Sequence, residues 1–301
     1  MLQTQIKQLF SQQTTDWDLA KKNFADLKTV QTKSFSFDRF QVHVQYNPAR
    51  MVSSGAKVDA KSIAERKCFL CDEHLPAEQK GILWRDFQIL VNPFPIFPTH
   101  FTIRKTRHLP QQILPVFIDM LELTYELDEF AVFYNGPKCG ASAPDHKHFQ
   151  AGTKEFLPLI NDYKNMKNTH AVLLQTEGEA ELLVLNDYLR TVYCIESYSI
   201  YDAQVLFCSL YSQLQKEKDV EPMMNIVCSY EGRKWHTFIL PREAFRPRQY
   251  DADPERQLLI SPATVEMCGV FIAPVAEHFE RISSADIVDI LQQCTLSKSI
   301  K

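Results

Sequence analysis

The chain has 301 residues, 45% of them hydrophobic and 23% charged, enough for a substantial apolar core in one large or two modest domains. Its 33 Lys and Arg against 37 Asp and Glu give a net charge of -4, which excludes a global positive field for nucleic acid, so an anionic ligand has to be held locally. No apolar run reaches the ~18 to 20 residues of a membrane span, and the opening MLQTQIKQLFSQQ lacks the features of a secretory signal, so a cytoplasmic chain without a membrane partner is expected.

In chain order, residues 1 to about 28 carry apolar residues at helical spacing (Ile6, Leu9, Phe10, then Trp17, Phe24, Leu27) with a polar break, which predicts a pair of short helices. The alternation in SFSFDRFQVHVQY predicts a strand from Ser34, ended by the turn-forming NPAR. A polar stretch from Ser53 to Lys67 leads to two strand-like segments, WRDFQILVNPFPIF and HFTIRKTRHL. The segment LPQQILPVFIDMLELTYELDEF places Ile113, Phe117, Met120, Leu121, Thr124 and Leu127 on one face, an amphipathic helix with Pro110 near its first turn. FAVFYNG and HKHFQAG then read as strands around a loop. The second half repeats the plan: TVYCIESYSI as strand, YDAQVLFCSLYSQLQKEKD as helix, PMMNIVCSYEGRKWHTFILPRE as two strands turning at Glu231-Gly232. The fold class expected is α+β, two similar halves around a shared core, divided into residues 1–160 and 161–301, with residues 153–170 as the connection and only the first half bearing chemistry.

Glycine is scarce, eight where average usage of ~7% would give about 21, and neither GxGxxG nor GxxxxGK[ST] occurs. Three of the eight, Gly136, Gly140 and Gly152, nevertheless crowd one stretch, YNGPKCGASAPDHKHFQAG. There Gly140, Ala141 and Ser142 can turn backbone N–H groups and a hydroxyl towards an anion. In the following D-H-K-H-F-Q, strand alternation puts His146, His148 and Gln150 on one side. His148 can attack as an imidazole nucleophile, His146 can be fixed by a metal, and Gln150 can hydrogen-bond a phosphate oxygen.

Five cysteines, Cys194, Cys208, Cys228, Cys268 and Cys294, sit singly in or beside apolar segments and read as small buried hydrophobes. Cys68 and Cys71 differ, forming a C-x-x-C in polar surroundings. Together with His146 and a further histidine, which spacing leaves open between His74, His100 and His108, they make a Cys2His2 set suited to structural zinc.

These motifs together, NG, CGAS and HKHFQ with the upstream CFLC and VNPFPIF, resemble the transferase branch of the histidine triad superfamily: galactose-1-phosphate uridylyltransferase, diadenosine tetraphosphate phosphorylase and the GDP-hexose phosphorylases. MMNIVCSYEGRKWHTFILPR and SPATVEMCGVFIAP are similar to segments of the same proteins, so the resemblance spans most of the chain. It implies two histidine-triad-like halves, each an antiparallel sheet with flanking helices, and zinc on Cys68, Cys71, His108 and His146. It further implies that His148 becomes transiently nucleotidylated by a nucleotide sugar or dinucleoside polyphosphate. The nucleotide then passes to inorganic phosphate or a sugar 1-phosphate.

By the same resemblance Ser142 contacts the departing phosphate and Gln150 the α-phosphate oxygens. Asn135 joins the phosphate-side network, Gly140 lies in the substrate loop, and Asn92 and Phe94 hold ribose and base. Ser142 precedes His146 by four residues where the family uses three, and Lys147 and Phe149 are closer to the phosphorylases. A glutamine at 150, where hydrolase relatives often carry a third histidine, favours transfer over hydrolysis. The resemblance also allows a homodimer. Two other readings are a zinc module that binds protein or nucleic acid, opposed by the charge balance, and a hydrolase of nucleotide conjugates.

Overall fold

The computed structural model describes residues 1–51, 58–217 and 219–296. Two helices open the chain, α1 (Leu2–Asp16) and α2 (Asp18–Leu27), separated by the extended Trp17. Then come β1 (Gln31–Phe37) and β2 (Phe40–Tyr46), the short α3 (Ala60–Glu65), β3 (Gly81–Trp84), β4 (Phe87–Val91), β5 (His100–Lys105), α4 (Phe117–Glu126), β6 (Phe130–Asn135) and β7 (His148–Thr153). The rest comprises α5 (Pro158–His170), β8 (Ala171–Glu177), β9 (Ala180–Leu185), β10 (Val192–Ser197), α6 (Ile200–Leu214), β11 (Met224–Glu231), β12 (Lys234–Pro241), α7 (Thr264–Met267), β13 (Val270–Ala273), α8 (Ala276–Arg281) and α9 (Ser284–Cys294). No helix of the described residues is long and apolar enough to cross a membrane.

Ten strands form one sheet in the order β3, β4, β5, β7, β6, β11, β12, β10, β9, β8, antiparallel throughout. The first five and the last five follow the same order read from opposite edges, and each set places a helix, α4 or α6, between its third and fourth strands in sequence. The α+β class and the two halves therefore stand. They join where β6 meets β11, with Asn135 opposite Asn225.

The sheet divides the interior into two cores, each fed by both halves. On one face Phe101, Phe149, Tyr193 and Ile195 pack under α1, α4 and α6, and Phe117 stacks on Phe207 with ring centroids 3.9 Å apart. Fully burying each such ring contributes roughly 1.5–3 kcal/mol. On the other face Phe133, Cys194, Val227 and Phe238 pack against α5, β13 and α9. Cys194, Cys228, Cys268 and Cys294 are buried free thiols as expected, whereas Cys208 is half-buried.

Several expected elements differ in detail. The strand from Ser34 is a hairpin: β1 and β2 pair from Gln31↔Tyr46 to Phe37↔Phe40 around Asp38-Arg39, and β2 takes β13 as a parallel partner. The helix expected from Pro110 begins at Phe117, after a 3-10 turn at Leu114–Val116. Pro115 disfavours the α conformation at Leu114, and the Ile113 N–H is drawn away to Glu221 at 2.6 Å. The connection at 153–170 contains a full helix, α5, whose Leu159, Ile160, Tyr163 and Met166 are buried. The hairpin of β8 and β9 was not among the expected elements. Of the polar stretch from Ser53 to Lys67, residues 53–57 lie outside the described residues.

Candidate active site

The end of β5, the C-x-x-C turn and the approach to β7 bring Cys68, Cys71, His108 and His146 together, with one ligand atom from each all within 4.8 Å of one another. His146 Nδ1 lies 3.3 Å from Cys68 Sγ and 3.6 Å from Cys71 Sγ, and His108 Nδ1 lies 3.1 Å from Cys71 Sγ. Tetrahedral zinc, with bonds of about 2.0–2.3 Å, needs neighbouring donors roughly 3.5 Å apart, so two thiols and two imidazoles fit it. The outward nitrogens are engaged as metal-bound histidines require: His146 Nε2–H donates to the Lys105 carbonyl at 2.8 Å, and His108 Nε2 faces Asp145 at 3.7 Å. Asp145 also pairs with Arg66.

Of the other two candidate ligands, His74 bonds the Cys68 carbonyl at 3.0 Å, and His100 lies on β5 in a different hydrogen-bond system. His146 itself stands in the turn before β7, which begins at His148, so the two histidines do not share a strand face. The backbone turns there because the His146 N–H closes on the Ala143 carbonyl at 3.1 Å.

Beside this cluster opens a cleft of about 710 Å³. His148, Gln150, Asn135, Ser142, Gly140, Asn92 and Phe94, the residues singled out from the sequence, all line it. The His148 Nδ1–H donates to the His146 carbonyl at 2.8 Å, which leaves the Nε2 lone pair without a protein partner among the described residues. Burial pushes this imidazole down to about 4, so the ring is neutral at physiological pH and retains that lone pair.

The amides in the cleft have fixed orientations. Ile96 N–H donates to His100 Nδ1 at 3.2 Å, so the proton of His100 sits on Nε2 and is given to Gln150 Oε1 at 2.9 Å. Burial holds His100 neutral, pushing it down to about 3. The Gln150 NH2 is thereby turned into the cleft. Asn135 Oδ1 accepts from Asn225 Nδ2 at 3.0 Å, from Thr264 N–H at 2.9 Å and from Thr264 Oγ1 at 2.6 Å, so its NH2 is likewise the end without a protein partner among the described residues. Asn92 uses both ends locally, donating to Thr102 Oγ1 at 3.1 Å and accepting the Phe94 N–H at 3.0 Å, which fixes the Phe94 loop on the cleft wall.

Gly140 is at φ 96°, and a Cβ there would stand 2.4 Å from Ala263 Cβ, so only glycine lets the 139–142 loop lie against the segment from the second half. Sequence reasoning left that segment open, since its basic run, PREAFRPRQ, reads equally as a solvated edge or as a phosphate-contacting pair. Phe245, Arg246, Ser261, Ala263 and Glu266 complete the cleft wall, with Arg50, whose Nη1 donates to the Phe94 carbonyl at 2.7 Å. Irregular backbone between β12 and α7 offers no periodicity to read. His100 was weighed only as a metal ligand.

Two family descriptions match the chain: "Domain of unknown function (DUF4922)" over residues 9–153 and "GDPGP1-like, C-terminal domain" over residues 164–300. No curated protein matches the sequence. Among solved structures, yeast Ap4A phosphorylase Apa2 in complex with Ap4A is similar at 17% identity, TM-score 0.59, over 96% of this chain and 97% of that one. The same yeast enzyme in complex with AMP gives 19% identity, TM-score 0.57, over 92% and 96%. The fold is therefore similar to that of the yeast enzyme over 96% of this chain, in keeping with the two-half α+β architecture expected from the motifs.

Proposed function

We propose that the chain is a nucleotidyltransferase of the phosphorylase type, using His148 as a covalent nucleophile on a nucleotide sugar or dinucleoside polyphosphate. The observation that carries this is the orientation of one ring: Nδ1–H is committed to the His146 carbonyl, and Nε2 faces a cleft lined by outward amide NH2 groups. The likeness to a phosphorylase fold and the C-terminal family match support the reading.

In the first step the Nε2 lone pair forms a bond to the α-phosphorus as the P–O bond to the distal group breaks, and the departing sugar 1-phosphate or nucleoside polyphosphate keeps that electron pair. No proton need leave the ring, because the positive charge of the nucleotidyl-imidazolium is met by the His146 carbonyl. The Gln150 and Asn135 amides and the Ser142 hydroxyl donate to phosphate oxygens, and none competes as a base. In the second step an oxygen of inorganic phosphate or of a sugar 1-phosphate attacks phosphorus, the P–N bond breaks and neutral His148 returns.

Cys68, Cys71, His108 and His146 would hold structural zinc, which when bound ties the His146 backbone in place. On this reading the chemistry belongs to residues 1–160 and the second half, 161–301, supplies one cleft wall. The protein acts in the cytoplasm on small nucleotides.

The test is to incubate the protein with common nucleotide sugars and dinucleoside polyphosphates, with and without orthophosphate. A mass increase of one nucleotide on the peptide bearing His148, discharged only when phosphate or a sugar phosphate is added, is the expected result. Release of nucleoside monophosphate in plain buffer would make it a hydrolase. No adduct and no turnover with any compound would reject the reading.

A further inference from the structure

The ladder between β6 and β7 runs from Phe130↔Thr153 to Phe133↔Gln150. In that register Tyr134 would next face Phe149, and after it Asn135 would face His148, two residues that line the cleft. That pair is not made. The side chain of Gln111, 1% exposed, stands between the strands instead. Its Nε2 donates to the Asn135 carbonyl at 3.0 Å and to the His148 carbonyl at 2.9 Å, and its Oε1 accepts the His148 N–H at 2.8 Å. Its own backbone N–H is anchored to the Pro144 carbonyl at 3.1 Å, and the adjoining Leu109 carbonyl accepts the Lys147 N–H at 2.6 Å.

We propose that Gln111 is a positioning residue for the reaction: its amide replaces a strand in the ladder, holds β6 and β7 apart, and fixes His148 against the His146 carbonyl. The inference rests on His148 being the nucleophile. Without the wedge, the freed Asn135 carbonyl and His148 N–H would pair directly at an inter-strand spacing of about 5 Å, narrowing the mouth of the cleft, or would take in water. Either outcome turns the imidazole away from the carbonyl that fixes its proton. A buried side chain serving only to fill space is better apolar, since a buried amide contributes little net stability and costs much when any partner is lost. Three bonds to the backbone of two cleft residues specify their spacing.

The experiment compares wild type with Gln111→Met, which keeps the shape and removes all three bonds, and with Gln111→Glu, which keeps the acceptor and removes both donors. Long-range 1H–15N correlation spectra of the histidines, assigned against His148→Gly, report the His148 tautomer in the substrate-free protein, and quenched single turnovers report the adduct rate. Wild type should show the Nδ1–H form. Both variants should bind metal and keep KM within about threefold while adduct formation slows about 100-fold, the cost of a misplacement on the order of 1 Å, and the His148 signal should shift away from the Nδ1–H form. A wild-type His148 protonated on Nε2 overturns the proposal, as do variants with the wild-type adduct rate and an unchanged His148 signal. A wild type that forms no adduct at all rejects the nucleophile instead, and the spectra then still decide whether Gln111 governs the ring.

Discussion

Strands β7 and β12 occupy corresponding places in the two halves, each fourth from the sheet edge, yet they meet opposite fates. On β7 the face bearing His148 and Gln150 looks into the cleft. On β12 the face bearing His236 and Phe238 is roofed by α5: Tyr163 packs edge-on against Phe238 at 5.1 Å, and Lys167 reaches Glu196 on the neighbouring β10 at 2.6 Å. Glu196 also receives Lys234 Nζ at 2.9 Å and the Tyr163 hydroxyl at 2.9 Å, and His236 stands 3.9 Å away. The same strand order thus leaves a histidine open to the cleft where the face is uncovered and builds a closed ion network where a helix covers it. Site chemistry depends on what caps a strand more than on the strand.

The largest effect expected from this contrast separates the two histidines. His148→Gly should abolish adduct formation and turnover while leaving fold and metal content intact. His236→Ala should leave the adduct rate unchanged, because its ring faces Glu196 and is not among the residues lining the cleft that His148 opens into. Intact-mass measurement of the nucleotidyl-enzyme on both variants checks this. A His148→Gly protein with full turnover, or a His236→Ala protein without any, would erase the distinction between the halves.

The four candidate metal ligands, Cys68, Cys71, His108 and His146, all lie in the first half, so the second break falls there. Wild type should carry about one zinc per chain, and Cys68→Ser should lose it together with stability on the order of 5 kcal/mol, a fraction of the ~10–16 kcal/mol that structural zinc sites contribute in small domains. Elemental analysis and urea unfolding measure both. Stability unchanged after loss of metal would show that the cluster does not hold the turn carrying His146.

Much of this contrast was legible in the chain itself. C-x-x-C, H-x-H-x-Q and the glycine loop are local in sequence, and local chemistry survives folding, so Cys68, Cys71, His146, His148 and Gln150 could be named before any coordinates. Apolar alternation likewise located β5, β6, β7, β11 and β12. What failed was whatever depends on distant partners. The Asp38-Arg39 turn lacks the Asn-Gly signal of a tight hairpin, so two strands read as one. Gln111 lies in a run whose apolar spacing mimics a helix, and its purpose appears only when Asn135 and His148 are brought to either side of it. Helix α5 hides in a polar connection because only a narrow stripe of it is buried, and its roofing of β12 follows from tertiary packing alone.

The smallest effect tests that roof. Burial by itself would raise the Glu196 carboxyl, but the hydrogen bonds from Lys167, Lys234 and Tyr163 outweigh it and bring the group from its ordinary 4.5 down to about 2. A folded-state value below the unfolded one means that the contribution is fully present above about pH 4.5 and is lost as the pH falls towards about 2. The size of the shift corresponds to about 3 kcal/mol near neutrality. Glu196→Gln should therefore be less stable than wild type by that order in urea at neutral pH. The gap should close steadily as the pH drops to about 3 and below, with the adduct rate at His148 unaffected. A gap of constant size across that range would mean that packing of α5 on β12 is held by its apolar stripe, and that the ion network only occupies the space that the cleft occupies in the other half.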